Sequence, residues 1–247
     1  MSLLIPGRDI PEVSLTESQR KVYQKLWKTS LYFFKYGQSI RKAPFRGFVL
    51  EGPPATGKTE IVRQAVRTLN VMLGDIAEVN LAFVDTASIA SPKWGEAEEK
   101  LKSVFKPATD SGQKRVILFD DVDCLMIRRG SEVAKEWHYS INSAMFHEID
   151  EIEPGKSIVT ATTNRPDLID DALRSRLYRI EVPPLPYEEL MEIATRLLHE
   201  SDLRDSEISK VLSSIQEKLK VVKNPTIRDI QHMITLECIE GGYWSIE

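Results

Sequence analysis

The stretch FRGFVLEGPPATGKTE, residues 45–60, decides how the rest of the chain is read. A short apolar run ends in a turn of glycine and proline, and helical spacing begins at KTEIVRQAVRTLN. Gly52, Pro53, Pro54, Ala55, Thr56, Gly57, Lys58 and Thr59 satisfy G-x-x-x-x-G-K-[ST] between that strand and that helix, with Glu60 in the helix's first turn. Glycines let successive amides curl around an anion, and the helix start adds its positive end. Lys58 would reach the β and γ phosphates of a nucleotide as a point charge. The Thr59 hydroxyl would bind the magnesium ion that accompanies them.

On either side of this loop the apolar pattern alternates. TESQRKVYQKLWKTSLYFFKYG opens with Thr16 three residues ahead of Gln19, a capping box, and continues at helical spacing. After the loop, VNLAFVD, RVILFDD and KSIVTATTN read as strands, separated by the helical patterns WGEAEEKLKSVFKPA and EVAKEWHYSINSAMFHEI. YRIEVP is a further short strand, and the prolines of PPLPYEE mark a boundary beyond which only helical patterns follow. Apolar strands alternating with amphipathic helices predict an α/β domain with a parallel sheet covered on both faces. The expected division is a leader over residues 1–13, a large α/β domain over 14–184 and a small helical domain over 185–247.

The bulk properties agree with a folded protein and exclude some classes. The 247 residues are 42% hydrophobic, enough for a sizeable core, and the formal net charge of -4 gives no global attraction for nucleic acid or anionic membrane. No stretch is apolar for long enough to span a bilayer, so no membrane insertion is expected, and the N-terminus lacks the pattern of a signal peptide. The two cysteines, Cys124 and Cys238, form no pair or zinc pattern with the four scattered histidines. They read as buried thiols in a reducing compartment, and a cytoplasmic location is expected.

VILFDDVD brings Asp120 and Asp121 to the carboxyl end of a strand, where ligands bind in open α/β sheets. Asp120 is the expected partner of the magnesium's water shell. With RGFVLEGPPATGKT, VILFDDVD, ATTNRPDLIDDALRSR and VPPLPYEE in this order, nearly the whole chain resembles the AAA ATPases of the AAA+ superfamily, a branch of the P-loop NTPases of ASCE type. The resemblance implies ATP and Mg2+ as cofactors, a five-stranded parallel sheet of order 5-1-4-3-2, a C-terminal lid of four-helix type and a homo-oligomeric, usually hexameric, ring.

It also implies roles for single residues. Asp121 stands where the family has a glutamate that polarises the attacking water; its shorter arm predicts slow hydrolysis. Ala55 replaces a usual glycine. Asn164 resembles the first sensor residue, whose amide orients water at the γ phosphate. Arg174 and Arg176 resemble the arginine fingers that reach a neighbouring subunit's nucleotide, with Ser175 where one branch has another arginine. Arg228 either matches a second sensor arginine in the lid or is an exposed surface residue. Lys93, Trp94 and Gly95 resemble a pore loop that grips extended polypeptide; the alternative for Trp94 is an anchor for the helix start. The RRGSEVA segment would be a second pore loop.

Two functions follow from these expectations. One is an ATP-driven ring that remodels, unfolds or translocates a protein substrate, reached directly or through an adaptor. The other is a nucleotide-dependent switch, or a DNA-associated clamp or motor, with slow hydrolysis. Trp94 and the acidic balance favour the first, and nucleic acid is the less favoured partner. Asp121 and Arg228 lean toward the second.

Overall fold

The computed structural model describes residues 2–37, 44–89, 95–106, 112–127 and 136–243. The Thr16 capping box forms as predicted and starts α1 (Glu17–Tyr36), whose buried stripe Val22, Leu26, Phe33 and Phe34 repeats at helical spacing. β2 (Gly47–Glu51) runs into the phosphate loop and α2 (Lys58–Leu73) leaves it. There follow β3 (Glu78–Asp85), α3 (Thr86–Ile89), α4 (Glu96–Phe105), β4 (Gln113–Asp120), α5 (Glu136–Asp150), β5 (Ser157–Thr163), α6 (Asp171–Arg176) and β6 (Leu177–Glu181).

Strands β2 to β6 run parallel to one another, and counted in chain order they fall 5-1-4-3-2 across the sheet. All five residues of β2 are buried, because side chains alternate between two covered faces. Phe48 and Leu50 join the core beneath α1 and α2, with Ile61, Leu69, Leu81 and Leu118. Val49 points the other way, into the core beneath α4 and α5, with Leu101, Ile117, Ile141 and Met145. This two-sided burial fixes the strand ends that carry the site.

Three sequence expectations need correction. The leader contributes a sixth strand, β1 (Ser2–Pro6), which adds antiparallel to β3 with Leu3 opposite Phe83. Its apolar SLLIP run supplies backbone donors and acceptors to an otherwise open sheet edge, and Ile10 just beyond it is buried. The C-terminal region holds three helices among the described residues, α7 (Tyr187–His199), α8 (Asp205–Leu219) and α9 (Ile227–Glu240), around their own core of Leu190, Ile193, Val211, Ile215, Ile230 and Ile234. Cys238 is buried in that core, but Cys124 is exposed. It ends the 3-10 turn Val122–Cys124, whose apolar neighbours Val122 and Leu125 take the core positions instead. Among the described residues no helix is long and apolar enough to cross a membrane.

Candidate functional site

The site lies at the carboxyl ends of β2, β4 and β5. Gly52 opens the loop where a Cβ would lie 2.1 Å from the Val182 carbonyl oxygen, so only glycine fits beside the chain leaving β6. Gly57 closes it at φ 87° as the N-cap of α2, and no side chain caps that helix. The first-turn amides of α2 therefore have no side-chain acceptor, the condition in which a helix start receives an anion. Ala55 also lies at positive φ, 54°. There an alanine is strained and the glycine of related loops would not be.

Lys58 is nearly inaccessible, 6% exposed, and its ammonium donates to the carbonyls of Gly52 (3.0 Å) and Pro53 (2.7 Å) and to Asn164 Oδ1 (2.5 Å). None of these three oxygens is a carboxylate. Burial pushes the lysine below its ordinary pKa, and the charges of Asp121, Asp120 and Asp123 resist that shift. Asn164 passes the connection on, its Nδ2 donating to Asp121 Oδ1 at 2.9 Å. A single run thus links the loop lysine, the strand-end amide and the second aspartate.

Beside it, Thr59 Oγ1 donates to Asp120 Oδ1 at 2.7 Å. Thr162, buried on β5, donates to the same Asp120 oxygen (2.7 Å) and accepts from the Asp121 amide (3.0 Å). Thr86 Oγ1 lies 2.7 and 3.0 Å from the carbonyl oxygens of Asp120 and Asp121. Thr163 donates to Asp123 at 2.5 Å. Thr59 was read from the sequence, but Thr86, Thr162 and Thr163 were not singled out there. The run SIVTATT, which puts hydroxyls where a buried strand needs apolar groups, is the signal that could have found those on β5.

Asp121 takes up a left-handed backbone, φ 49° and ψ 56°, a region that aspartate and asparagine tolerate better than longer side chains. The residue is exposed as a whole, but the protein around its carboxyl, with Asp120 and Asp123 adding like charge, pushes its pKa up. Lys58 and Arg228 pull it the other way. Arg228 in the first turn of α9 is thus close enough for its charge to be felt at the site. With Ala55, Gly57, Glu60, Leu15, Ile193 and Ile227 it lines a cavity of about 360 Å³ between the loop and α7 and α9.

The two arginines of α6 are engaged elsewhere. Arg176 makes a two-pronged pair with Asp150, at 2.9 and 2.8 Å, and its guanidinium lies 4.9 Å from the centre of the Phe146 ring. Arg174 bonds to the Pro166 carbonyl and lies 3.5 Å from Glu51, a carboxylate at the end of β2 that is 1% exposed and also paired with Arg179. Neither arginine bonds to the Lys58, Asn164, Asp121 and Asp120 group. Of the residues read as a pore loop, Lys93 and Trp94 lie outside the described residues, and Gly95 is the N-cap of α4 at φ 80°. The RRGSEVA segment also lies outside them.

A family model for the ATPase family associated with various cellular activities (AAA) matches residues 48–185, more than half of the chain. The chain belongs to the AAA ATPase family. Among its relatives, the ATPase family gene 2 protein of Schizosaccharomyces pombe is 28% identical over 209 residues, covering 81% of this chain and 25% of that protein. The ATPase histone chaperone abo1 of the same organism is 34% identical over 166 residues, 64% of this chain and 14% of that one. The AAA chain therefore spans a quarter or less of the length of these relatives. A chain in the structure of an E. coli MS115-1 HORMA:CdnC:Trip13 complex shares the fold, with a TM-score of 0.66 at 17% identity, covering 98% of this chain and 89% of that one.

Proposed function

We propose that the chain is a magnesium-dependent ATP hydrolase module that works in a ring of like subunits and remodels a protein substrate. The observation that carries this is the run from Lys58 through Asn164 to Asp121, set beside the Thr59 and Asp120 oxygens. Its residues fit ATP and magnesium. Uncapped α2 amides and an ammonium bonded to neutral oxygens suit a polyphosphate, and a hydroxyl and a carboxylate oxygen 2.7 Å apart are hard ligands suited to magnesium. Bound magnesium would supply positive charge against the phosphate oxygens. Lys58 would turn from the loop carbonyls to the β and γ phosphates, and Asn164, bonded to both Lys58 and Asp121, would hold the attacking water near the carboxylate that takes its proton. The apolar cavity lined by Leu15, Ile193 and Ile227 would receive the base.

Arg176 and Arg174 would act on the nucleotide of a neighbouring subunit, which motivates the ring. Trp94 would meet the substrate, and the division at residues 14–184 and 185–247 would let the lid move against the large domain. The histone-chaperone name of the abo1 relative supports a protein substrate. The switch reading is favoured by the short arm of Asp121.

Titration calorimetry with ATP and magnesium, followed by phosphate release with and without an unfolded polypeptide, tests the proposal. Binding with turnover that the polypeptide stimulates is expected. Absence of binding would overturn the reading, and binding with negligible turnover would leave the switch.

A further inference from the structure

Gln19 does more than cap a helix. It is 4% exposed, and the two ends of its side-chain amide serve different elements. Its Oε1 accepts from the Thr16 amide at 3.0 Å, which is its half of the capping box. Its Nε2 donates to the backbone carbonyl of Thr56, 37 residues away inside the phosphate loop, also at 3.0 Å. The loop packs directly on this amide, since a Cβ at Gly57 would lie 2.4 Å from Gln19 Nε2.

The peptide between Thr56 and Gly57 is trans, so its carbonyl and its N–H lie in one plane and point in opposite directions. A carbonyl held toward Gln19 sends the Gly57 amide the other way, off the α1 side of the loop. The holder is itself fixed. Ser18, next to Gln19, donates from both its amide (3.0 Å) and its hydroxyl (2.7 Å) to Glu189 Oε1 on α7, and Arg196 of the same helix donates to the Ser14 carbonyl at 2.5 Å. On the other side, α1 is buried against the core through Val22 and Leu26.

We infer that Gln19 is a positioning residue of the phosphate loop, setting the orientation of the Thr56–Gly57 peptide for polyphosphate. The inference rests on the nucleotide reading above and adds a residue from outside the loop and strand-end motifs. Gln19→Glu separates the two duties of the side chain. A glutamate keeps Oε1 for the Thr16 amide, and so keeps the capping box, but it sets a carboxylate oxygen against the Thr56 carbonyl where a donor stood.

In the full chain with magnesium and ATP, Gln19→Glu is expected to raise Kd and KM about tenfold, the size of a lost buried hydrogen bond, while kcat at saturation stays within about threefold. Its melting temperature should fall as well, because a carboxylate that is almost inaccessible then faces a carbonyl instead of donating to it. Thr16→Ala should lower the melting temperature by about 2–4 °C but leave Kd little changed. Should Gln19→Glu fail to fold, Gln19→Met fills the same space without donor or acceptor, and its affinity loss must exceed that of Thr16→Ala. Gln19→Glu binding within about twofold of wild type, or an affinity loss matched by Thr16→Ala, overturns the inference. A wild-type chain that binds no ATP overturns the nucleotide reading and this inference with it; wild-type binding that Gln19→Glu leaves intact overturns this inference alone.

Discussion

The phosphate-loop side of the molecule and the α6 side use charge in opposite ways. At the loop, Lys58 is buried among neutral oxygens, with Asp121 held at one remove through Asn164 and Asp120 bonded to Thr59 instead. At α6, each arginine is already paired, Arg176 with Asp150 and Arg174 with Glu51. A cation bonded only to dipoles can take up an incoming anion without first giving up an ion pair. A cation in a two-pronged pair must exchange one carboxylate for another anion. The first arrangement suits a ligand bound within the chain, the second a contact made only when something else arrives.

The largest test of that contrast is Arg176→Ala. If the α6 side serves a neighbour, hydrolysis by the assembled protein falls about 1,000-fold or more, while ATP affinity of the isolated chain stays unchanged. Dilution series of phosphate release beside equilibrium binding will measure both. A parallel loss of affinity in the isolated chain would place Arg176 in its own site and erase the distinction.

Next in size is Asp121→Asn, expected to lower kcat about 100- to 10,000-fold if the carboxylate accepts a proton from water. Its raised pKa sets the pH dependence. Base function needs the ionised form, so activity is present above the raised value and is lost as pH falls through it. The acid limb should therefore lie above the ordinary aspartate range. Stability runs oppositely. A carboxyl raised in the folded state favours folding when protonated, and its ionisation costs stability as pH rises through the folded value. Asp121→Asn should then melt slightly higher than wild type at neutral pH, with the difference shrinking on acidification; scanning calorimetry across pH checks the sign.

Much of this contrast was legible in the residues. Lys58, Thr59, Asp120 and the parallel sheet were read from motif and alternation, because a phosphate loop and a doubly covered sheet leave local patterns, whereas the strand order came only from the resemblance to the AAA ATPases. The partners of α6 were not legible. Asp150 lies 26 residues from Arg176 and Glu51 more than 120 from Arg174, and neither an exposed charge such as Asp150 nor a buried one at a strand end carries a periodicity that would name its partner. Nor could the sequence distinguish Ala55 from Asp121, two of the departures from the family's motifs. Ala55 and Asp121 both fall on left-handed backbone, but aspartate is among the residues that tolerate it and alanine is not. Asp121→Glu would therefore change two things at once. A longer arm gains reach and loses backbone fit, so an unchanged rate would not by itself show that the aspartate's length suffices.

Asp150→Asn probes the exchange at α6 more gently. Removing the charge that holds Arg176 weakens a partly exposed pair, worth about 1 kcal/mol or less, and leaves the guanidinium on Phe146. If that pair must open for a neighbour's site to be completed, hydrolysis at limiting protein concentration rises about two- to fivefold, with saturated kcat unchanged. A fall in activity instead would mean that Asp150 orients Arg176 for its task.

The smallest expected change is Ala55→Gly. At φ 54° alanine costs about 1 kcal/mol more than glycine in the folded chain, but glycine gives up more conformational entropy on folding. The two effects oppose each other, so melting temperature should move by no more than a few degrees. Affinity should respond differently, because relaxation at residue 55 acts on the loop itself, next to the Thr56 carbonyl that Gln19 holds. If nucleotide needs the left-handed conformation already present, glycine gains nothing and Kd stays within about twofold. If the loop must shift to admit polyphosphate, glycine eases the shift and Kd falls by more. Binding measured on Ala55→Gly and on Ala55→Gly/Gln19→Glu separates these cases: independent effects add in free energy, whereas a loop gripped from both ends gives a double variant whose loss differs from the sum.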